Sequence, residues 1–420
     1  MGRTARDNRP NIKPVERIEL SESALTLRLV LFVVIGLIGI GAFIYGFSAL
    51  FSVDPGWRTI SVASSELNVS SDFVLQYELG RGELSATAEY RELSNTYTEL
   101  CEKAAMLFDI DNDYDEEVSL HYISSHPNET IEVDPCIYEM FEIMAEYDDR
   151  TIFMAPVYDL YDDIFFSSDD ENAKSLDAHF SDEMANEIGE YLSFINDDEM
   201  ISISLLGFNK LRLDVSNEYL AFAKENEIRS FLNPIYYRNA FILDFLADNL
   251  IAKGFDYGII TSTNGYSRIL SRLDVPNGYV FYQRSGHDIY QALTIYLQDK
   301  SSVVFLHDFP LADSDKYLYY SYADGSAATP YLGEEGIYEN AYSSLLSYGN
   351  KKAGELVIAS GKAYAKRNCD LHDLLSLRDN GIYSLASGED NTVYYSDKSL
   401  CFNNLYEDEK ITFKLELLGK

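Results

Sequence analysis

The side chains that could do chemistry in this chain are few and widely spaced. Histidine occurs six times in 420 residues, and no histidine belongs to an H-E-x-x-H pattern or lies at zinc-ligand spacing from a cysteine. The sequence contains no G-x-S-x-G elbow and no Walker loop. Asp109, Asp111 and Asp113 have the spacing that opens a calcium loop, but Tyr114 replaces the required glycine and Leu120 the bidentate glutamate. The sequence therefore favours a solvated acidic loop there.

The stretch from Phe231 to Arg268 has the clearest local pattern, and the elements that would position a site can be predicted around it. Asn233 is a suitable helix N-cap, Pro234 suits the first helical position, and Gly254 ends the helix. The residues that follow predict a strand, a turn and a second strand, at 257–263, 264–265 and 266–270. We therefore expect a capped helix followed by a buried hairpin, whose turn offers backbone amides to a ligand.

The charge of the chain excludes one class of partner. The net charge is −36 at 46% hydrophobic content, so a large core can form but nucleic acid and other polyanions are not expected partners. Runs such as Asp162-Asp163 and Asp197-Asp198-Glu199 are typical of solvated surface.

An apolar segment near the N-terminus predicts a membrane anchor. Residues 1–28 hold six basic and four acidic side chains and precede a run of 25 residues without a charge, 29–53. An apolar helix of about 20 residues crosses a bilayer core, so 29–53 is predicted as one transmembrane helix. The positive-inside rule then makes 1–28 a cytoplasmic tail and places 54–420 outside the cytoplasm, with the cell membrane as a partner. A cleaved signal peptide is disfavoured because the apolar run is too long and no small-residue cleavage site follows.

Residues 54–420 interleave helices and strands without a regular βαβ rhythm, which predicts an α+β class. Helices are expected at 85–108, from 134 to about 144, at 174–194, 353–366 and 370–377. Strands are expected within 57–79 and at 118–124, 200–206, 210–215, 278–283, 290–297, 302–307, 317–322, 393–395 and 411–417. The four cysteines, Cys101, Cys136, Cys369 and Cys401, all lie in this part, and two disulfides or free buried thiols fit the sequence equally well.

The order of elements in residues 57–400 resembles that of the FAD:protein FMN transferases, the ApbE-type flavin transferases. An anchor precedes strands and a helix ending in AAMLFDIDND, then come IEVDPCIYEMFEIMAEY, TIFMAPVYDLY and the 231–268 stretch. The resemblance implies an ApbE-like α+β fold and an extracytoplasmic enzyme that cleaves FAD and, with Mg²⁺, attaches FMN to a Thr or Ser of a partner. The implied partner is a flavinylated acceptor protein or a membrane redox complex.

The positions that bind the flavin nucleotide in that family are altered here. The family's D-L-G-G-I-A-K-G-Y motif corresponds to residues 231–239, FLNPIYYRN, in which the Asp, both glycines and the Lys are replaced. A G-G-D or G-G-N segment corresponds to residues 262–264, and an H-x-I-D-P-x-T-G segment to residues 329–336. The candidate cofactor-binding residues implied by the resemblance are Asn233, Ser262, Thr263, Asn264 and Thr329.

The metal positions are altered as well. The family's A-D-x-x-x-T segment corresponds to residues 353–358, where Gly354 replaces the Asp and Ile358 the Thr. Glu355 is a candidate metal ligand next to the expected position, although a helical residue one step along points about 100° away. Phosphoryl-group transfer needs a metal and fixed donors, so the sequence assigns no catalytic residue.

Two functions follow from these observations. The first is a membrane-anchored FMN transferase that uses FAD and Mg²⁺, whose activity the missing motif residues call into question. The alternative is a pseudoenzyme of the same fold, a non-catalytic scaffold that binds a flavin or a partner protein.

Overall fold

The computed structural model describes residues 30–40, 42, 52–62, 69–270, 276–297, 302–311, 316–366, 369–403, 405–407 and 411–419. The chain divides into residues 1–53 and 54–420, and each part is described by itself. In the first part residues 30–40 and 42 are helical, while residues 29, 41 and 43–51 of the predicted transmembrane helix lie outside the described residues. Across the described residues, no helix is both long and apolar enough to span a membrane.

Helices and strands alternate irregularly through residues 54–420, as expected for an α+β protein. The helices are α1 (Ala86–Leu107), α2 (Leu120–Ser125), α3 (Pro135–Glu146), α4 (Ala155–Phe165), α5 (Asp170–Leu176), α6 (Asp182–Ile195), α7 (Asn217–Glu225), α8 (Arg238–Ala252), α9 (Ala353–Tyr364) and α10 (Leu371–Asp379). Short 3-10 turns occur at Ser70–Asp72, Thr151–Met154, Lys316–Leu318 and Glu389–Asn391.

The strands form one large sheet and smaller ones. They are β1 (Gly56–Ile60), β2 (Phe73–Leu79), β3 (Ile131–Glu132), β4 (Ile201–Gly207), β5 (Lys210–Val215), β6 (Gly258–Ser262), β7 (Ser267–Ile269), β8 (Asn277–Ser285), β9 (Asp288–Leu297), β10 (Ser302–His307), β11 (Tyr320–Ser321), β12 (Ala327–Ala328), β13 (Ser344–Gly349), β14 (Tyr383–Ser387), β15 (Thr392–Tyr395), β16 (Cys401–Asn403) and β17 (Lys414–Leu417). The large sheet has the order β1-β2-β6-β7-β10-β13-β14-β15-β17, and β16-β9-β8, β3-β5-β4 and β11-β12 form the others.

The core lies on both faces of the large sheet. Its central strands β10 and β13 pair antiparallel, Val303 opposite Tyr348 and Phe305 opposite Leu346, and every residue of both strands is buried. On one face α9 packs on β10 and β13 while α8 packs on β6 and β7. On the other face Phe281 and Leu293 of the β16-β9-β8 sheet pack with Val303 and Phe305. The large sheet is therefore a middle layer between helices and a smaller sheet.

The predicted hairpin is confirmed, but the helix before it begins later than predicted. Strands β6 and β7 pair antiparallel, with Gly265 at φ +88° in the turn between them. Helix α8 begins at Arg238 rather than at the predicted Pro234. The Asn233 side chain instead accepts a hydrogen bond from the Ile235 amide (3.0 Å), which closes a separate turn before the helix.

Two other elements differ from prediction. Residues 118–124, predicted as a strand, contain helix α2, because the Ser119 hydroxyl accepts from the Tyr122 amide at 3.0 Å and caps a helix. The helix predicted at 174–194 is broken into α5 and α6 at Asp177, whose buried carboxylate accepts hydrogen bonds from the distant Tyr322 (2.6 Å) and Tyr338 hydroxyls.

The remaining differences concern short strands, and the structure also separates the two alternatives for the cysteines. The strand predicted at 317–322 is reduced to β11 after a 3-10 turn, and the sequence did not predict β3, β12, β13, β14 and β16. All four cysteines are free: Cys101 and Cys369 are buried and Cys401 is exposed.

Candidate functional site

A cleft of about 860 Å³ lies where three segments of the chain meet. Residues 147–154 before helix α4 form one side, residues 332–339 form a second, and the C-terminal half of α9 with residues 365–380 forms the third. Ligand sites of proteins commonly have volumes of about 300–1,000 Å³, so the cleft could hold a small molecule or a peptide side chain.

A buried carboxylate lies in the wall of this cleft. Asp149 lines the cleft but is only 8% exposed, and its Oδ1 accepts from the Thr151 amide (3.0 Å) and hydroxyl (2.5 Å). Burial raises the pKa of Asp149, while Thr151 and the charge of Lys362 oppose that shift. Asp149 is therefore a largely buried carboxylate whose charged form is disfavoured by its loss of solvent.

Tyr236 lines the same cleft and packs against α9. A Cβ on Gly361 would lie 3.1 Å from the Tyr236 ring and hydroxyl, so glycine at that helical position leaves room for the tyrosine. The Tyr236 ring also contacts Tyr331, with ring centroids 5.1 Å apart, and Tyr331 contacts Tyr364 at 5.1 Å. A cluster of buried tyrosines thus fills the space between α8, α9 and residues 329–331.

The three basic side chains that line the cleft are all engaged within the protein. Arg150 donates to the carbonyls of Ile195 (2.9 and 2.6 Å) and Ile201 (2.8 Å) and pairs with Asp198. Lys362 donates to the carbonyls of Tyr147 (3.2 Å) and Asp148 (3.0 Å), with Glu334 at 3.7 Å, and Lys366 pairs with Asp373 at 2.9 Å. An anionic ligand would therefore compete with internal acceptors for each cation in the cleft.

The predicted residues of the hairpin turn make hydrogen bonds within the protein. The hydroxyl of Ser262 donates to the side chain of Asn264 and accepts from the amide of Tyr266 at 3.1 Å. The amide of Thr263 donates to the carbonyl of Asp72 at 2.9 Å. Ser262, Thr263 and Asn264 therefore lie together at one turn, and the polar groups described here form hydrogen bonds that stabilise the fold.

Asn233, Thr329 and Glu355 lie on other elements and also have internal partners. The Asn233 amide donates to the Ile152 carbonyl at 2.9 Å, at the 3-10 turn beside the cleft. Thr329 is 1% exposed and accepts from the Asn340 side chain at 3.1 Å. Glu355 pairs with Lys351 and accepts from the Tyr147 hydroxyl at 3.0 Å. None of the six predicted residues is among those that line the cleft, although Ile152 and Tyr147 connect two of them to its edge.

The resemblance implies a metal-binding carboxylate at position 354, and in this chain a phenylalanine ring from α8 lies against Gly354. A Cβ on Gly354 would lie 2.4 Å from Cε1 and 2.6 Å from Cδ1 of Phe241. The amides of Ala353 and Gly354 donate to the carboxylate of Asp244 at 2.9 and 2.7 Å. Because Asp244 also pairs with Arg268, an internal ion pair caps the start of α9.

These contacts decide whether Mg²⁺ and FAD fit the residues present. An aspartate at 354 would collide with Phe241, Glu355 already has a cation and a hydroxyl, and the first amides of α9 face Asp244. The described part of the chain holds no group of three or more His, Cys, Asp or Glu that could ligate a metal. The residues at the motif positions therefore do not fit the nucleotide and its metal.

Sequence reasoning missed Asp149, Tyr236 and Lys362 as cleft residues. A signal for Asp149 was present, because it lies two residues before Thr151, the first residue of the TIFMAPVYDLY segment that carries part of the resemblance. Lys362 and Tyr236 meet the cleft through contacts between distant segments, which no local pattern indicates.

Comparison with solved structures identifies the fold. The ApbE protein from Thermotoga maritima matches with a TM-score of 0.56 and 14% identity, over 81% of this chain and 97% of that one. The flavin transferase ApbE from Vibrio cholerae matches with a TM-score of 0.53 and 13% identity, over 83% and 97%. The chain has the fold of these two proteins. The resemblance to ApbE-type flavin transferases is thereby confirmed at the level of fold. No protein-family model matches the sequence, and neither does any curated protein.

Proposed function

We propose that this chain is a binding protein built on the ApbE-like fold that does not transfer FMN. The observation that carries the proposal is Gly354, where a side chain would meet the ring of Phe241 at 2.4 Å. Loss of a metal ligand alone could be compensated by a neighbour, but here the vacated volume is occupied by a core side chain. Restoring the carboxylate would therefore require repacking α8 against α9.

The charges of the cleft support the same proposal. FAD is a dianion at its pyrophosphate, and enzymes that bind such groups supply free cations, a metal or backbone amides. In this cleft Arg150, Lys362 and Lys366 are held by carbonyls and carboxylates, while Asp148, Glu334 and Glu335 add negative charge. The cleft is better suited to a neutral or cationic partner than to a dinucleotide.

The second candidate is the FMN transferase itself, anchored at the membrane and dependent on FAD and Mg²⁺. The extent of the shared fold favours it, since the match covers 97% of each of the two ApbE proteins. The two candidates make opposite predictions for flavin transfer to an acceptor.

The test uses the full chain solubilised in detergent, with the Vibrio cholerae ApbE protein as positive control. Both are incubated with FAD, Mg²⁺ and a flavin-acceptor protein, and covalent flavin is detected by fluorescence after denaturing electrophoresis. We expect label in the control and none with this chain. Transfer above the enzyme-free background would refute the binding-protein proposal and support the transferase.

The location is part of the proposal. We infer that residues 29–53 anchor the chain in the cell membrane, with 54–420 outside the cytoplasm, because 25 uncharged residues follow a basic segment. Protease added to intact cells should then digest residues 54–420 while leaving a cytoplasmic control protein whole. Protection of 54–420 in intact cells would contradict this topology.

A further inference from the structure

The candidate site contains one charged group whose bonding is incomplete. Asp149 is more than nine-tenths buried and lines the cleft, yet both of its hydrogen bonds are made to Oδ1. No described residue donates a hydrogen bond to Oδ2, and no basic side chain of the described residues pairs with this carboxylate. Buried carboxylates are normally paired or fully hydrogen-bonded, because an isolated buried charge is costly.

The nearest cation in the cleft does not fill this role. Lys362 is close enough for its charge to act on Asp149, but its ammonium group donates to the carbonyls of Tyr147 (3.2 Å) and Asp148 (3.0 Å). These contacts also show that an ammonium group suits the oxygen-rich edge of this cleft. A second ammonium could therefore occupy the cleft beside the carboxylate that Lys362 leaves unpaired.

The rest of the cleft suits the remainder of such a ligand. Ile337 and Ala363 line the cleft, are only half-buried and offer apolar surface for an alkyl chain. The exposed carboxylates of Asp148 and Glu335 carry no ion pair within the described residues. A guanidinium or alkylammonium could bind one carboxylate, but several separated carboxylates with an apolar wall favour a flexible chain that carries more than one ammonium group.

We propose that the cleft binds primary ammonium groups on a flexible alkyl chain, as in a polyamine or a lysine-rich peptide segment, and that Asp149 anchors the innermost ammonium through Oδ2. The ammonium donates to Oδ2 and the alkyl chain lies along Ile337 and Ala363. Asp148 and Glu335 hold the outer charges. This inference rests on the proposed binding function, for which it supplies the class of ligand.

The experiment is isothermal titration calorimetry of the full chain with three probes: spermidine, a lysine-rich decapeptide and the same peptide with every lysine acetylated. We expect saturable binding of spermidine or of the unmodified peptide, and none of the acetylated peptide. Binding of spermidine alone identifies a polyamine site, and binding of the peptide alone a protein-segment site. Failure of both probes to bind would overturn the proposal.

Variants separate the site from the general negative charge of the protein. Asp149→Asn keeps the shape of the side chain and an acceptor for Thr151, and we expect it to weaken binding about tenfold or more, as for loss of a charge-assisted hydrogen bond. Glu335→Gln, at the exposed edge, should weaken it about threefold. The matched control, Asp115→Asn with Glu116→Gln, removes two charges from the exposed loop after α1 and should leave the affinity unchanged.

The outcomes are distinct from those that test the proposed function. Equal loss of affinity in the control pair and in Asp149→Asn would show diffuse charge attraction and overturn the site. If Asp149→Asn does not fold, as judged by its circular dichroism and thermal transition, Glu335→Gln against the control pair decides. Flavin transfer is measured on the same preparations, so a transferase that also fails to bind ammonium is recognised separately from a binding protein with a different ligand.

Discussion

Asp244 should be one of the residues on which the stability of the fold depends most. It lies on α8, and its carboxylate accepts from the amides of Ala353 (2.9 Å) and Gly354 (2.7 Å) and from Arg268. It is 5% exposed, and Arg268 has an exposed fraction of 11%. A single side chain therefore caps α9, joins it to α8 and neutralises the cation on β7.

The expected cost follows from these three contacts. A hydrogen bond to a charged group contributes about 1.5–3 kcal/mol, and removal of one partner of a buried ion pair costs about 3–5 kcal/mol because the other charge stays buried. Arg268 keeps Asp248 at 2.6 Å, which moderates the loss. We expect Asp244→Ala to lower the free energy of unfolding by about 4 kcal/mol. Asp244→Asn retains an acceptor for the amides and should lower it by about 2 kcal/mol.

The assay is urea denaturation followed by circular dichroism, in which an unchanged slope with a lower midpoint reports lost stability. Asp248→Asn is the matched control: it also removes one carboxylate from Arg268, but its side chain is 40% exposed, so a loss of no more than about 1 kcal/mol is expected. If Asp244→Asn cost no more than Asp248→Asn, the reasoning that the buried cap joins the two helices would be wrong. A double-mutant cycle with Arg268→Met then measures the ion-pair share.

Three further outcomes can be checked. Gly354→Ala should lower the free energy of unfolding by about 1–3 kcal/mol in spite of the better helix propensity of alanine, because its Cβ overlaps Phe241. In denaturation experiments the double variant with Phe241→Ala should lose less stability than the sum of the two single variants. Burial lowers the pKa of His307 to about 4, so on acidification the unfolded state takes up a proton at a higher pH than the folded state does. The free energy of unfolding should therefore fall by up to about 3 kcal/mol as the pH drops from about 6.5 to 4. In urea titrations across this pH range, His307→Gln should remove that part of the pH dependence. Iodoacetamide should label exposed Cys401 in the native protein, whereas Cys101 and Cys369, whose pKa values burial raises to about 12, should be labelled only after denaturation, as mass spectrometry would record.

Elements with strong local signals were predictable from the sequence. The helical period and the Ser85 cap, which accepts from Ala88 at 3.3 Å, define α1, and Asn264-Gly265 defines the β6–β7 turn. The prediction for α2 was wrong although a local signal, the Ser119 cap, was present. Other predictions were wrong where distant contacts prevail over the local pattern. Asp177 ends α5 because Tyr322 and Tyr338, each more than a hundred residues away, donate to its carboxylate. No window of sequence contains that information.

The candidate site was less predictable than the fold for a related reason. The resemblance indicated which motif positions had changed, but not what took the place of the lost groups. Asn233 was predicted to cap α8, but it lies five residues before the first residue of that helix and closes a separate turn, with its side chain bonded to the amide of Ile235. Asp149 has no ion pair with Lys362, because the Lys362 ammonium, which extends from α9, donates to the carbonyls of Tyr147 and Asp148 instead.

The substitutions at the motif positions are coupled, and this argues against a site that one mutation could restore. The resemblance implies a carboxylate at position 354, but the ring of Phe241 occupies the space that a side chain there would need. The amides of Ala353 and Gly354 are bonded to Asp244. At Thr329 the hydroxyl is buried and bonded to Asn340, and Glu355 is paired with Lys351. Each replacement is satisfied by a partner on another element, so returning one position to the family's residue would break a contact and leave a buried group unpaired. The groups around α9 are thus bonded and packed within the core of this fold. The adjoining cleft contains a largely buried carboxylate, Asp149, to whose Oδ2 no described residue donates a hydrogen bond.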